Sequence, residues 1–177
     1  MKRVRIILLL AGLLCCAEAF AQDKSVGLFS SPKGFGFSYS GYVQDGGFNS
    51  FHLYADMTGV LSGDYDKPGI RIDYNKGIVL KTASSESCDF LLYAGPGVSA
   101  GFVRDNDSPN YGFLLALNGT FGARFIFPRG IALDLGLSAD LGLHIRGAEN
   151  GQTTNLKLYR NGLNRILFPQ VKIEYCF

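Results

Sequence analysis

Alternation of apolar and polar positions is the dominant pattern along this 177-residue chain. It is clearest at residues 131–145, where every second side chain from Ile131 to Ile145 is apolar. The positions between them include Asp134, Asp140 and His144. An amphipathic helix would repeat its apolar positions every three or four residues, so this pattern predicts a strand with one apolar and one polar face. Strands of soluble sandwiches are usually only ~5 or 6 residues long, so the length favours a lipid-facing exterior and a polar interior.

The same alternation predicts seven strands, and a closed barrel requires an eighth. The seven cover residues 35–43, 48–61, 70–80, 90–102, 113–127, 131–145 and 168–177. Because single-chain bacterial barrels have an even number of strands, we assign the eighth to residues 24–30, with Val26 and Leu28 facing outward. The predicted fold class is all-β, an eight-stranded antiparallel up-and-down transmembrane β-barrel. A soluble barrel of lipocalin type is the structural alternative.

The first 21 residues predict a cleaved secretory signal peptide. Lys2, Arg3 and Arg5 precede a short apolar run, and a small-residue cleavage site at Ala19 and Ala21 follows it. The run is shorter than the ~20 apolar residues that a membrane-spanning helix needs. We expect cleavage after Ala21, which leaves residues 22–177 as one outer-membrane β-barrel domain.

The charge of the chain excludes one class of partner. It has 17 basic and 15 acidic residues, and removal of the signal peptide leaves 14 of each. A neutral chain has no basic footprint for nucleic acid, so no nucleic-acid partner is predicted. Two cysteines, Cys88 and Cys176, stay in the domain. The strand assignment places them on opposite sides of the barrel, beyond the ~7 Å that a disulfide allows, so we expect two separate thiols.

The polar faces of the strands predict a charged interior. Five acidic residues, four cationic residues and one histidine face inward: Asp56, Arg71, Asp73, Arg124, Asp134, Asp140, His144, Arg146, Lys172 and Glu174. The interior of an eight-stranded barrel is just wide enough for side chains to fill, and buried charges need partners. This predicts a lumen closed by salt bridges. Inward glycines at Gly136 and Gly142 leave a narrow pore open as an alternative.

Two further predictions concern the membrane-facing surface. Lys76 falls on the apolar face, where a lysine at the midplane would cost about 2–4 kcal/mol, so we predict a bulge at residues 75–77 that turns it inward. Aromatic residues concentrate at strand ends, as in the aromatic bands of membrane barrels. Tyr42, Phe48, Phe51, Phe125, Phe127, Tyr175 and Phe177 are assigned to one end, and Tyr65, Phe102, Tyr111 and Phe113 to the other.

The last strand resembles a known targeting signal. Val171, Ile173, Tyr175 and Phe177 alternate with polar residues up to the final position. This resembles the C-terminal signal of bacterial outer-membrane barrels, which the barrel-assembly machinery reads. Residues 93–97, 101–105 and 140–144, together with Tyr175-Cys176-Phe177, are similar to small outer-membrane barrel proteins common in Bacteroidota.

The resemblance implies an OmpX/OmpW-like, porin-like barrel in the outer membrane of a Gram-negative bacterium. Its implied partners are outer-membrane lipid and the barrel-assembly machinery, and it carries no catalytic residue over to this chain.

Three hypotheses for function follow. The leading one is a non-enzymatic, monomeric barrel with a structural or surface-interaction role through its extracellular loops. The longest loop, residues 147–167, either extends the strands or covers the mouth as a lid. The second hypothesis is a narrow channel or carrier for small or apolar solutes. The third is a barrel enzyme acting on lipid or peptide, for which His144 and Asp140 are the candidates to test. No cofactor or metal site is predicted.

Overall fold

The computed structural model describes residues 24–43, 46–61, 63, 67–105, 108–146, 155–160 and 168–177. The predicted signal peptide with Ala19 and Ala21, and the rim residue Tyr65, lie outside the described residues. In the described ranges, no helix is both long and apolar enough to cross a membrane.

Strands make up most of the described chain. They are β1 (Lys24–Ser31), β2 (Gly34–Val43), β3 (Gly47–Asp56), β4 (Gly69–Ser84), β5 (Asp89–Asp105), β6 (Ser108–Ile126), β7 (Ile131–Arg146), β8 (Asn155–Leu158) and β9 (Phe168–Cys176). A single turn of helix, α1 (Thr58–Leu61), follows β3. We call the end of the barrel that carries the β2–β3, β4–β5 and β6–β7 connections the turn end, and the opposite end the loop end.

Eight of these strands form a closed antiparallel barrel. Strands β1 to β7 each pair with the next one along the chain, and β9 closes the barrel between β7 and β1. The predicted eight-stranded fold is confirmed, including the first strand. The short β8 pairs with β7 from Leu143 to Arg146, beyond the point where β9 begins. Residues 155–158 of the predicted long loop therefore extend the wall at the loop end.

The register shows how the barrel closes. A path from Leu133 on β7 through successive register partners returns to β7 at Leu143, a shift of ten residues over eight strands. With ~3.3 Å per residue and ~4.8 Å between strands, this shear tilts the strands by about 40° from the barrel axis. Such a tilt is usual for barrels whose interior is filled by side chains.

The two faces of the wall have opposite chemistry. The outward side chains are apolar and exposed, as Leu28 at 63% and Leu117 at 66% illustrate. Inward side chains are largely polar, and Arg71, Arg124 and Lys172 are each at most 1% exposed. The apolar-out, polar-in arrangement is the reverse of a soluble core and is typical of barrels that lie in lipid.

Two connections at the loop end depart from the predictions. The strand predicted for residues 48–61 ends at Asp56, because Met57 N–H donates to Lys33 O (2.6 Å) and Thr58 N–H donates to Asp56 Oδ1 (3.0 Å). These bonds draw the chain over the β1–β2 turn and into α1. The gap of residues 103–112 between the predicted strands 90–102 and 113–127 is much shorter in the structure, since β5 continues to Asp105 and β6 starts at Ser108.

The predicted bulge at residues 75–77 is wrong. The register between β4 and β5 is the same at Asn75 and at Ile78, and it shifts only between Val79 and Lys81. Lys76 therefore stays on the outward face, opposite Asn49 and two residues from the start of β3. Near the turn end, its long side chain can extend toward water without any change of register.

Two residues assigned to the aromatic bands lie inside the barrel instead. Phe48 is 1% exposed and packs edge-on against Tyr93, with ring centroids 4.9 Å apart. Tyr42 packs on Phe48 from the neighbouring strand, at 6.0 Å. Phe48 and the inward His52 are four residues apart on β3, so their side chains point to the same face of the strand. This alternation decides the direction of the Phe48 side chain, and its position at a strand end does not.

Candidate functional site in the barrel lumen

Four charged residues form a compact group inside the turn end. This turn-end cluster consists of Arg124, Asp134, Lys172 and Glu174, all on strands. Arg124 Nη2 lies 2.7 Å from Glu174 Oε2, and Lys172 Nζ lies 3.0 Å from Asp134 Oδ2. Arg124 Nη1 lies 3.9 Å from Asp134 Oδ2 and links the two pairs. Two cations and two carboxylates make the cluster neutral, which offsets part of the cost of burial.

Hydroxyl groups complete the turn-end cluster. Ser25 and Ser40 donate to Glu174 at 2.7 and 3.0 Å, and Tyr93 donates to Asp134 Oδ1 at 2.7 Å. The Arg124 guanidinium also lies 5.4 Å from the centre of each of the Tyr42 and Phe48 rings. Salt bridges, hydroxyl groups and aromatic rings therefore surround Arg124 on several sides.

A second group of four charges lies toward the loop end. This loop-end cluster consists of Lys33, Arg71, Asp73 and Asp140. Arg71 bridges both carboxylates, with Nη2 at 2.6 Å from Asp140 Oδ2 and Nε at 2.9 Å from Asp73 Oδ1. Lys33 Nζ lies 2.8 Å from the same Asp140 oxygen. Tyr54 Oη donates to Asp73 Oδ2 at 2.9 Å, so this cluster is also neutral and also includes a tyrosine.

Lys33 is the charged cluster residue that is absent from the predicted inward set. It lies in the β1–β2 turn, yet it is 2% exposed, and its Nζ donates to Ser138 Oγ at 2.9 Å. Burial lowers the pKa of its ammonium from the ordinary value, and Asp140 opposes that change. Turn residues follow no alternation, so the pattern assigns them no direction. The predicted inward set did carry one more acid than cations, and that imbalance was a signal that a cation was missing.

Aromatic and amide side chains fill the space between the two clusters. Phe29 stacks on His52, with ring centroids 4.7 Å apart and planes 13° apart, and it also contacts Tyr54 at 4.9 Å. The crevice lined by His52, Gln170, Lys172 and other residues of this layer is too narrow for a water molecule. Asp134 and Asp140 lie six residues apart on β7, so the clusters are about 15 Å apart along the axis.

Three of the predicted lumen residues lie outside both clusters. Asp56 is buried and accepts the Thr58 N–H. His144 is 1% exposed, with Nε2 at 3.0 Å from Val103 O. Arg146 is half-buried at the loop end of β7. Among the described residues, no group of three or more His, Cys, Asp or Glu side chains could hold a metal.

Tyr159 occupies the loop-end mouth. Its N–H donates to Gly142 O (2.8 Å), and its side chain is 2% exposed in a buried apolar cluster with Val103 and Leu114. Burial raises the pKa of its hydroxyl. The described part of residues 147–167 thus combines both predicted roles, a strand extension at β8 and a side chain that packs into the mouth. Residues 147–154 and 161–167 lie outside the described residues.

Three of the four residues assigned to the assembly signal lie on β9, the strand that closes the barrel, and Phe177 directly follows that strand. Val171, Ile173 and Tyr175 are exposed on the outward face. Phe177 N–H donates to Lys24 O (2.9 Å), which joins the two ends of the described chain at the turn end. Cys88 and Cys176 are both free thiols.

Comparison with known proteins supports the fold. No protein-family model matches the chain, and no curated protein matches it. Among solved structures, the chain is similar to a major outer membrane protein from Thermus thermophilus. The TM-score is 0.52 with 12% sequence identity, over 89% of this chain and 100% of that one. At this identity the similarity extends to the barrel fold alone.

Proposed function

We propose that this protein is a non-enzymatic, monomeric integral barrel of a bacterial outer membrane, with a lumen closed by its own side chains. The observation that carries the proposal is the pair of neutral ionic clusters separated by a packed layer around Phe29 and His52. A water-filled pore would need charges that face open space, whereas these charges face one another. The function then lies in the loops and the outer surface rather than in transport.

The location in an outer membrane is part of the same proposal. Its support is the apolar outward face, the eight-stranded closure and the similarity to an outer-membrane protein fold. The resemblance of Val171, Ile173, Tyr175 and Phe177 to an assembly signal adds recognition by the barrel-assembly machinery. We place the loop end outside the cell, because outer-membrane barrels have short periplasmic turns and longer outer loops. A Gram-negative host and kinship with small OmpX/OmpW-like barrels of Bacteroidota belong to the proposal as well.

We also propose that this barrel has no catalytic activity. The support comes from His144, the candidate for general acid or base chemistry. Its Nε2 is engaged with Val103 O, and its ring lies 6.4 Å from that of Tyr159 beneath the mouth. A catalytic group must come within hydrogen-bond reach of its substrate, and this side chain is 1% exposed.

Conductance across planar lipid bilayers tests the closed lumen. The refolded barrel is first checked for a heat-dependent mobility shift on a gel, which shows that it is folded, and for recovery with the membrane fraction. We expect membrane-inserted protein without a steady unitary current, since the lumen crevice does not admit water. A steady current would overturn the closed-lumen proposal in favour of a channel. Recovery in the aqueous fraction, with no shift on boiling, would overturn the membrane location and favour a soluble barrel.

A further inference from the structure

An apolar groove crosses the outward face of strands β1 to β4. It has a volume of about 500 Å³, within the ~300–1,000 Å³ typical of ligand sites. Its outward lining residues are Leu28, Phe35, Phe37, Leu53, Ala55 and Ile70. The groove exists because small residues lie between large ones. Ala55 is the register partner of both Phe35 and Ile70, and Gly69 directly precedes Ile70 on β4. A side chain from elsewhere can fill that depression, and so can a lipid chain.

Two cations lie just beyond the loop end of this groove. The groove reaches Gly69 and Ile70 at the start of β4, and the exposed Lys67 lies in the connection just before that strand. The Tyr111 hydroxyl donates to the carbonyl oxygens of Lys67 and Pro68 at 3.2 and 3.1 Å, so it holds that connection in place. We call Lys67, Arg104 and Tyr111 the rim cluster.

The rim cluster is continuous with the groove. The Arg104 guanidinium lies 4.4 Å from the centre of the Tyr111 ring, and that ring stacks on Phe102 with centroids 5.3 Å apart. Phe102 is the register partner of Ile70 on the outward face. A path along the outer wall therefore leads from apolar side chains through two aromatic rings to two positive charges. Aromatic and cationic side chains in this order are typical of a membrane–water interface.

We propose that the groove and the rim cluster together bind one phosphate-bearing anionic lipid of the surrounding membrane. An acyl chain lies in the groove, and its phosphate contacts Lys67 and Arg104 by charge-assisted hydrogen bonds. This site rests on the proposed membrane location. The complementarity favours a lipid over other occupants: the groove offers no polar partner to a peptide, and a free phosphate would use only the rim cluster. The complementary molecule has an apolar tail and an anionic head.

Native mass spectrometry of the folded barrel tests this site. The protein is released from micelles containing phosphatidylglycerol and phosphatidylcholine with identical acyl chains, and the bound lipids are counted. We expect phosphatidylglycerol to be preferred, and the double variant K67Q/R104Q to reduce its binding about 30-fold, since each interfacial cation contributes to attraction of anionic lipid. Ala55→Trp, which fills the groove, should reduce the binding of both lipids. The matched control K76Q/K157Q, at two exposed lysines outside the groove, should leave the preference intact.

Unchanged phosphatidylglycerol binding by K67Q/R104Q would overturn the proposal, and so would unchanged binding by Ala55→Trp. Each protein is also tested for its heat-dependent mobility shift and its insertion into lipid. A barrel that inserts but shows no lipid preference contradicts this site alone. A barrel that fails to enter lipid contradicts the proposed membrane location itself, so the two failures are distinguishable.

Discussion

The two charged clusters of the lumen have the same composition and different construction. Each contains two cations, two carboxylates and a tyrosine hydroxyl that donates to one carboxylate. Every charge of the turn-end cluster is carried by a strand, which is held by ladders on both sides. The loop-end cluster takes Lys33 from a turn, whose carbonyl accepts a 2.6 Å bond from Met57 N–H. A charge on a strand is positioned by the barrel itself, whereas this one depends on a neighbouring connection.

Glu174 of the turn-end cluster and Asp140 of the loop-end cluster also differ in how many cations contact each of them. In the turn-end cluster, Glu174 has one cation within salt-bridge distance among the described residues, Arg124. In the loop-end cluster, two cations share one oxygen of Asp140, so the loss of Lys33 leaves Arg71 in place. The ion pairing of Glu174 depends on one residue, whereas that of Asp140 is redundant. This difference predicts unequal responses to mutation.

The largest effect is expected for Arg124→Met. It leaves Glu174 buried without a cation, and removal of one partner of a buried pair typically costs about 3–5 kcal/mol. We expect that loss in the free energy of unfolding, measured by urea titration in lipid vesicles with far-UV circular dichroism. The chain has no tryptophan, so backbone signals are the suitable probe. The double variant R124M/E174M, which removes both charges of the pair, serves as the matched control and should lose less. Equal losses in the two variants would contradict the importance of the unpaired carboxylate.

A smaller effect is expected for Lys33→Met. Asp140 keeps Arg71 at 2.6 Å, so the cost is that of one charged hydrogen bond, roughly 1.5–3 kcal/mol. The same urea titration measures it, with Lys81→Met at an exposed position of β4 as the control, expected to change stability by less than ~0.5 kcal/mol. A loss of stability as large as that of Arg124→Met would show that Arg71 does not compensate for the missing Lys33. It would contradict the proposed difference between the two clusters.

The same difference explains what could be predicted from the sequence. Period-two alternation is a property of strands, so it placed Asp134, Asp140 and Lys172 on the inward face and predicted seven strands, while the even strand number of barrels supplied the eighth. Lys33 lies in a turn, where alternation has no meaning, and its direction depends on contacts with Met57, just after β3, and with β7, which are distant in sequence. The wrong prediction of a bulge at Lys76 had another cause. The pattern puts Lys76 in the middle of its own strand, but it does not show where the neighbouring strand β3 begins. The pairing between strands, and not the pattern within one strand, determines how far along the barrel axis a residue lies.

The smallest changes in the free energy of unfolding are expected for substitutions of the two buried histidines, His52 and His144. These substitutions test whether the ionic clusters contribute more to stability than the residues around them. His52 Nε2 has no hydrogen-bond partner among the described residues, and its ring stacks on Phe29 at 4.7 Å. His52→Phe keeps the stacking and removes an unsatisfied polar atom, so we expect stability to be unchanged or slightly higher. His144→Phe instead removes the 3.0 Å bond to Val103 O and should lower the unfolding free energy by about 0.5–1.5 kcal/mol. The pair is measured in the same urea titration, each variant serving as the control for the other. Should His52→Phe cost more than Lys33→Met, the layer between the clusters would hold the lumen together more firmly than the loop-end charges do.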